Sequence, residues 1–219
     1  MSLNIERARF NMVEQQVRPW DVLDARVLDV LAHQVRRDRY VSAEHAQLAY
    51  ADLELPLAHG QSMMKPVVEG RVLQAVLAQA GESVLEIGTG SGFLAACLSR
   101  LAREVTSIEL YDDLAASARE RLQRDGFDNV SVEVAEAING YEPRREFDVV
   151  VLTGAVYSLP ERMKQWLKPG GRLFAVIGES PVQQAIVFTR EGTSLRETSL
   201  FETDLAYLTN AAPPRRFSL

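Results

Sequence analysis

The sequence predicts an α/β fold: a doubly wound, mostly parallel sheet behind a mainly helical N-terminal extension. Three observations predict it. From Ser83 to about Phe201, short apolar runs alternate with amphipathic stretches, the pattern of repeated βαβ units. Val84-Leu85-Glu86-Ile87 leads into glycines at 88, 90 and 92 and then into an apolar stretch at helical spacing. Phe147–Leu152 is an unbroken apolar run, as expected of a strand covered on both faces.

Taken in order, residues 1 to about 80 read as helices and loops. Asp21 follows Pro19-Trp20 and is placed to cap a helix with the apolar face Leu23, Val27, Val30 and Leu31. Residues 36–64 are loop-like, with Tyr40-Val41 and Leu53–Leu57 as short extended pieces. Pro66 suits a helix start, Val68, Val72, Leu73, Val76 and Leu77 form the buried stripe, and Gly81 is placed to stop it. The alternation then runs strand Ser83–Gly88, helix Ser91–Ala102, strand Val105–Leu110, helix Asp112–Asp125, strand Val130–Val134 and strand Phe147–Leu152. Asp112 and Asp113 fall in the first turn of their helix, where negative charge complements the dipole. A short helix, Glu161–Leu167, precedes the turn Pro169-Gly170-Gly171 and the strand Arg172–Ile177. Ala185–Thr189 and Glu197–Phe201 form a final pair around Glu191-Gly192. Ligands of such sheets bind beyond the carboxyl ends of the strands. Gly88, Glu109, Glu136 and Thr153 all fall at strand ends and are expected to converge on one crevice.

Length and composition narrow the function. A chain of 219 residues fits one domain. A net charge of −6 does not suit a broad phosphate-binding surface. The basic clusters Arg36-Arg37-Asp38-Arg39, Arg144-Arg145 and Arg215-Arg216 are short and separate, so no nucleic-acid partner is expected. Cys97 is the one cysteine, at helical spacing with Leu94, Leu98 and Leu101, and reads as core. The N-terminus has no secretion pattern, and no apolar run approaches the ~18 residues that span a bilayer. A cytoplasmic protein with no membrane partner is the expectation. His33, His45 and His59 are scattered and predict no metal site. Nothing in the sequence sets the oligomeric state.

The glycine loop carries the chemistry. Residues 88, 90 and 92 lack a Cβ, so backbone can approach a ligand closely. The helix from about Ser91 points free N–H groups at the same place. Glu86 precedes the loop, and Glu109 ends the next strand, 21 residues beyond Gly88. The set suits a nucleoside cofactor, with backbone around its polar end and a carboxylate for its ribose hydroxyls. A bare G-x-G-x-G also fits a tight turn that binds nothing. The dinucleotide fingerprint wants its third glycine where Phe93 stands, which makes a nicotinamide enzyme the lesser alternative. Glu86–Gly92, an E-x-G-x-G-x-G, resembles the first motif of S-adenosylmethionine-dependent methyltransferases.

Over nearly its whole length the chain resembles the protein-L-isoaspartate O-methyltransferase family. The N-terminal match is Asn11-Met12-Val13-Glu14-Gln15-Gln16, Arg39-Tyr40-Val41, Ala49-Tyr50-Ala51-Asp52, Leu55-Pro56-Leu57 and His59-Gly60-Gln61-Ser62. The core match is Val84–Gly92, Ile108-Glu109, Phe147–Ala155 and Leu167–Leu173. Core motifs specify only the methyltransferase class, and the N-terminal segment points to this family. The resemblance implies a Rossmann-like methyltransferase fold in a single domain. Residues 1–80 would cover the active site, 81–205 would form the cofactor-binding core, and 206–219 a C-terminal tail. It implies S-adenosylmethionine as cofactor and a carboxylate of a damaged protein or peptide as acceptor. Gly88, Thr89, Gly90, Ser91 and Gly92, with Glu86, would surround the methionine part. Glu109, with Leu110, would take the ribose hydroxyls, and Glu136 and Ala137 would flank the adenine. Thr153 would stand at the adjoining strand end, and Gly60, Gln61 and Ser62 would close over the cofactor.

The chain also departs from the family at several positions. Gly-Gln-Thr-Ile-Ser-x-Pro reads here Gly60-Gln61-Ser62-Met63-Met64-Lys65-Pro66, so Met64 fills the active-site serine slot. Ser62 is the one hydroxyl left in that segment, equally suited to a loop hydrogen bond or to the active site. Gly-Asp-Gly reads Ala135-Glu136-Ala137. An ungapped alignment places Asp204 at a family arginine and Tyr207 at a proline. An aspartate facing the pocket would repel a carboxylate. Thr153-Gly154-Ala155-Val156 lacks the Asn-Pro-Pro-Tyr type of motif of amino-group methyltransferases. The alternative is a paralogue that binds the cofactor but has another acceptor, or none.

Overall fold

The computed structural model describes residues 2–214. Arg215-Arg216 lie outside the described residues. The N-terminal part begins with α1 (Ser2–Asn11), continues through a π-helical turn at Met12–Val17 and a 3-10 turn at Arg18–Trp20, and reaches α2 (Ala25–Asp29), which runs on to Gln34. Asp24, not Asp21, caps α2: its carboxylate accepts from the backbone N–H groups of Arg26 and Val27. Asp21 instead takes a left-handed conformation at φ 62° that turns the chain. Arg9 is buried and donates to Leu31 O and Val35 O, both at 2.9 Å, fastening α1 to the end of the α2 helix.

Tyr40-Val41 is not a strand. A 3-10 turn, Arg37–Arg39, delivers the Tyr40 ring into the core, edge-on to Phe93 at 5.8 Å. Two short strands, β1 (Leu55–Pro56) and β2 (Ser62–Met63), pair antiparallel. Helix α3 (Pro66–Val76) starts at the proline as expected, but Gly81 does not end it. Leu77 ends it in the left-handed region, and Arg172 donates to the Val76 and Leu77 carbonyls that the helix leaves open.

The main sheet contains β3 (Ser83–Ile87), β4 (Glu104–Glu109), β5 (Val130–Val134), β6 (Phe147–Val156), β7 (Leu167–Glu179), β8 (Val182–Glu191) and β9 (Ser194–Thr203). Its spatial order is β5-β4-β3-β6-β7-β8-β9. The first five pair parallel, and β8 and β9 add an antiparallel edge. The order reverses direction between β3 and β6, the switch point at which a crevice opens in such sheets. Helices α4 (Phe93–Leu101), α5 (Asp112–Arg124) and α6 (Glu161–Lys164) make the connections. The expected helix to Leu167 stops at Lys164, because Leu167 already pairs with Phe147 as a strand.

Alternate residues of the central strands face two cores. Val84, Val105, Val149, Val151, Phe174 and Val176 pack with α3, α4 and the N-terminal helices. Leu85, Ile87, Ile108, Val150, Leu152 and Leu173 pack with Ile138, Met163 and Trp166. Cys97 is fully buried in the first core, where desolvation pushes its thiol pKa up and keeps it unreactive. No helix among the described residues is long and apolar enough to cross a membrane.

Candidate active site

The glycine loop joins the β3 end to α4. Gly88, Gly90 and Gly92 have φ of 97°, 52° and 86°, a region L side chains rarely occupy. A Cβ on Gly88 would also overlap Thr153 Oγ1, and one on Gly92 would press on Ala118 Cβ of α5 at 3.2 Å. The loop is pinned across the sheet: Gly88 N and Thr89 N both donate to Ile108 O, at 2.8 and 3.2 Å.

Glu109, at the end of β4, is 5 % exposed. Its Oε2 accepts from Gly90 N at 2.8 Å, and its Oε1 from Leu110 N at 2.9 Å and Tyr111 N at 3.1 Å. The carboxylate is thus held rigid at the crevice wall, with Oε2 able to accept a further donor. Glu136, after β5, accepts from Ile138 N and Asn139 N at 2.9 and 2.8 Å, shaping the turn whose residues form the neighbouring wall. Thr153 reaches the crevice through a bulge: the β6–β7 register jumps between Val151 and Ala155. Its hydroxyl lies 2.9 Å from Ile87 O and 2.7 Å from Gly88 O, closing the β3 end.

These strand ends open into one crevice of about 800 Å³, open solvent at its mouth included. Gly88, Gly90, Glu109, Leu110, Glu136, Ala137 and Thr153 line it, together with Gln61 and Ser62 from the N-terminal part. A smaller recess continues from it past the glycine loop, and Thr89 and Ser91 line that.

Three expected cofactor residues are not on these walls. Gly60 lies at the turn crest with nothing within 4 Å of its Cβ position, and its φ of 68° serves the turn. Gly92 is taken up by the α4–α5 approach. Glu86 is a correction of position: it is fully buried behind the loop, accepting from Ser107 Oγ, which in turn meets Thr89 Oγ1 at 2.5 Å. Its Oε1 has no partner, and burial pushes its carboxyl pKa up to about 8. In-strand alternation sends residue 86 into the sheet interior, so its contribution is support beneath the loop.

The acceptor side is built from segments remote in sequence. Ser62 donates to Glu54 Oε2 at 3.1 Å, so its hydroxyl is committed to a loop contact while still facing the crevice. Met64, 7 % exposed, lines both the crevice and the recess. Leu205–Thr209 form the opposite wall, a part that periodicity did not reveal. The tail is laid against β6: Ala155 N donates to Ala206 O and Leu208 N to Ala155 O, both at 2.9 Å. Tyr207 is fixed by donating to Gly178 O and accepting from Ser180 N, each at 2.9 Å. Asp204 is exposed, accepts from Ser180 Oγ at 3.2 Å and is not among the lining residues, so it does not set a negative charge on the wall. Glu54, Glu109 and Glu136 are the acidic side chains of the described crevice wall; no Lys, Arg or His stands among them.

The family model described as protein-L-isoaspartate(D-aspartate) O-methyltransferase matches residues 8–210. The chain belongs to this family. A protein-L-isoaspartate O-methyltransferase of Brucella anthropi is 34 % identical over 191 residues, 87 % of each chain. One of Myxococcus xanthus is 41 % identical over 157 residues, 72 % of this chain and 74 % of that one. Among solved structures, a β-aspartate methyltransferase of Plasmodium falciparum, in complex with S-adenosyl-L-homocysteine, superposes with a TM-score of 0.80 at 20 % identity. It covers 92 % of this chain and 98 % of its own. A second protein-L-isoaspartate O-methyltransferase gives 0.79 at 22 % identity over 93 % of this chain and 67 % of its own. At these identities the structures establish the shared Rossmann-like fold, and the sequence relatives establish a methyltransferase family.

Proposed function

We propose that the protein is an S-adenosylmethionine-dependent O-methyltransferase that methylates isoaspartyl or D-aspartyl carboxylates in damaged proteins. The observation that carries this reading is Glu109 locked to the glycine loop at the switch point of a sheet whose family is established. The donor set fits the cofactor: a wall with acidic side chains and no basic ones suits a cationic sulfonium. Glu109 Oε2 accepts a ribose hydroxyl. Ala135–Ile138 flank the adenine, and Gly88–Gly90 admit the methionyl chain alongside the backbone. Gln61, Ser62 and Met64 cover the crevice.

When bound, the cofactor supplies an electrophilic methyl group. The protein's part is alignment. An aspartyl carboxylate is already ionised at neutral pH and needs no base. Holding two reactants in line is worth on the order of 7–11 kcal/mol in favourable cases. Met64 and Leu205–Leu208 enclose the place where they meet and exclude water. Incubation with labelled cofactor and an isoaspartyl peptide tests the reading: a base-labile methyl ester above background is expected. Cofactor binding with no ester would overturn it.

A second reading rests on Met64. With a thioether in place of the family's serine and no cation on the wall, the acceptor is a different group, or transfer is absent. Ester formation on isoaspartyl peptide, and none on the matched aspartyl peptide, would exclude it.

A further inference from the structure

One buried charge near the crevice has no part in the site as described. Glu69, in the first turn of α3, is 2 % exposed and lines the recess beyond the glycine loop, beside Met64, Gly88, Gly90, Ser91 and Phe93. Among the described residues its ionic partner is Arg37, 1 % exposed. The pairing is lopsided. Arg37 Nε donates to Glu69 Oε2 at 2.9 Å, but Nη2 is 3.4 Å from Oε1. The guanidinium spends its other donors on Ala49 O at 2.5 Å and Met64 O at 2.6 Å. Arg37 is therefore close to saturated and stands off the recess wall. Glu69, itself on that wall, keeps acceptor capacity beyond its contacts from Arg37. A desolvated carboxylate in that state gains more from a cation than one in water does.

The recess adjoins the crevice, the two sharing Leu57, Ser62, Met64, Gly88, Gly90 and Thr153 as walls. Glu109 stands on one side of the glycine loop and Glu69 on the other. A ligand with its ribose at Glu109 and an aminoalkyl chain past Gly90 brings its ammonium to the recess. We propose that Glu69 binds the α-ammonium of the methionyl end of the cofactor and so selects adenosyl ligands that carry an amino acid over truncated ones. The proposal rests on the reading of the crevice as an S-adenosylmethionine site. Arg37 holds the Glu69 carboxyl in place, where burial raises its pKa and the guanidinium opposes that rise, and ties the same pair to the Met64 carbonyl of the covering loop.

The test is a cycle over residue and ligand, read by calorimetry. S-adenosylhomocysteine carries the ammonium; 5′-methylthioadenosine lacks the whole amino-acid end. Glu69→Gln should weaken S-adenosylhomocysteine ten- to a hundredfold and leave 5′-methylthioadenosine within about twofold. Equal loss for both ligands would mean that Glu69 is only a structural partner of Arg37, and no loss for either would remove it from the site; each overturns the proposal. A second arm uses the unmodified protein and survives misfolding of the variant: the α-deamino analogue of S-adenosylhomocysteine should bind at least tenfold more weakly than the parent. Equal binding overturns the proposal while leaving the cofactor reading intact. Failure of the unmodified protein to bind any adenosyl ligand would bring down both.

Discussion

The two halves of the crevice are built on different principles. In the nucleoside half the carboxylates and the glycine loop are held by main-chain groups. Glu109 accepts three main-chain N–H groups, the glycine loop donates to Ile108 O, and Glu136 accepts from the turn that follows it. In the acceptor half, loops meet largely through side-chain contacts, Ser62 with Glu54, Tyr207 with Gly178 and Ser180, and His59 with Asp113 at 2.8 Å, beside the two main-chain bonds that lay the tail against Ala155. Sheet register fixes the first half, and a change there disturbs many bonds at once. Loops fix the second, where a substitution disturbs one or two. The departures from the family at Met64, Asp204 and Tyr207 fall in the second half, and the one at Ala135-Glu136-Ala137 falls in the first.

The predictions press on this contrast, largest effect first. Glu86 lies under the nucleoside half with its carboxyl pKa raised from an ordinary 4.5 to about 8. The folded protein therefore keeps a proton that the unfolded chain releases. Between those pH values the folded state binds more protons, so stability falls as pH rises, by on the order of 3–5 kcal/mol in total, and levels off above pH 8. Glu86→Gln should flatten that fall in thermal melts from pH 5 to 9; an unchanged slope would place the effect elsewhere. Arg37→Ala leaves Glu69 buried without its partner and should cost about 3–5 kcal/mol in denaturant unfolding. A loss under 1 kcal/mol would show that water enters and that the recess is less dry than its walls imply.

Gly88→Ala forces a side chain into φ 97° and against Thr153, at a cost of about 3 kcal/mol, and should remove cofactor binding. Glu109→Ala should weaken cofactor binding by about 1–3 kcal/mol, the scale of a charged hydrogen bond. Unchanged affinity by calorimetry would remove Glu109 from the ribose. Met64→Ser, on the loop-built side, should raise isoaspartyl methylation by roughly fivefold, about 1 kcal/mol for one added hydrogen bond, with cofactor affinity unaltered. If affinity moves as much as turnover, the two halves are coupled through Met64, which lines both crevice and recess.

What could be read from the sequence follows the same division. The β3 strand and glycine loop, the α4 and α5 helices and the strand ends at Glu109 and Glu136 are legible because local periodicity and backbone requirements act over a few residues. Errors fell where a tertiary partner overrode a local signal. Gly81 looked like the stop of α3, but Arg172, on β7, caps the helix end and ends it at Val76. Asp21 looked like a cap, but Asp24 has the geometry, with Gln74 of α3 accepting from the Leu23 and Asp24 N–H groups.

By itself the sequence determined the fold class, the glycine loop and the carboxylates at the strand ends, because each depends on spacing along the chain. Only the tertiary structure decided that Glu86 turns inward and Glu69 reaches the recess, that a bulge lifts Thr153 to the crevice, and that residues 205–209 close its far wall. Those outcomes depend on which side of a strand or helix finds a buried partner, and that partner is a residue tens of positions away.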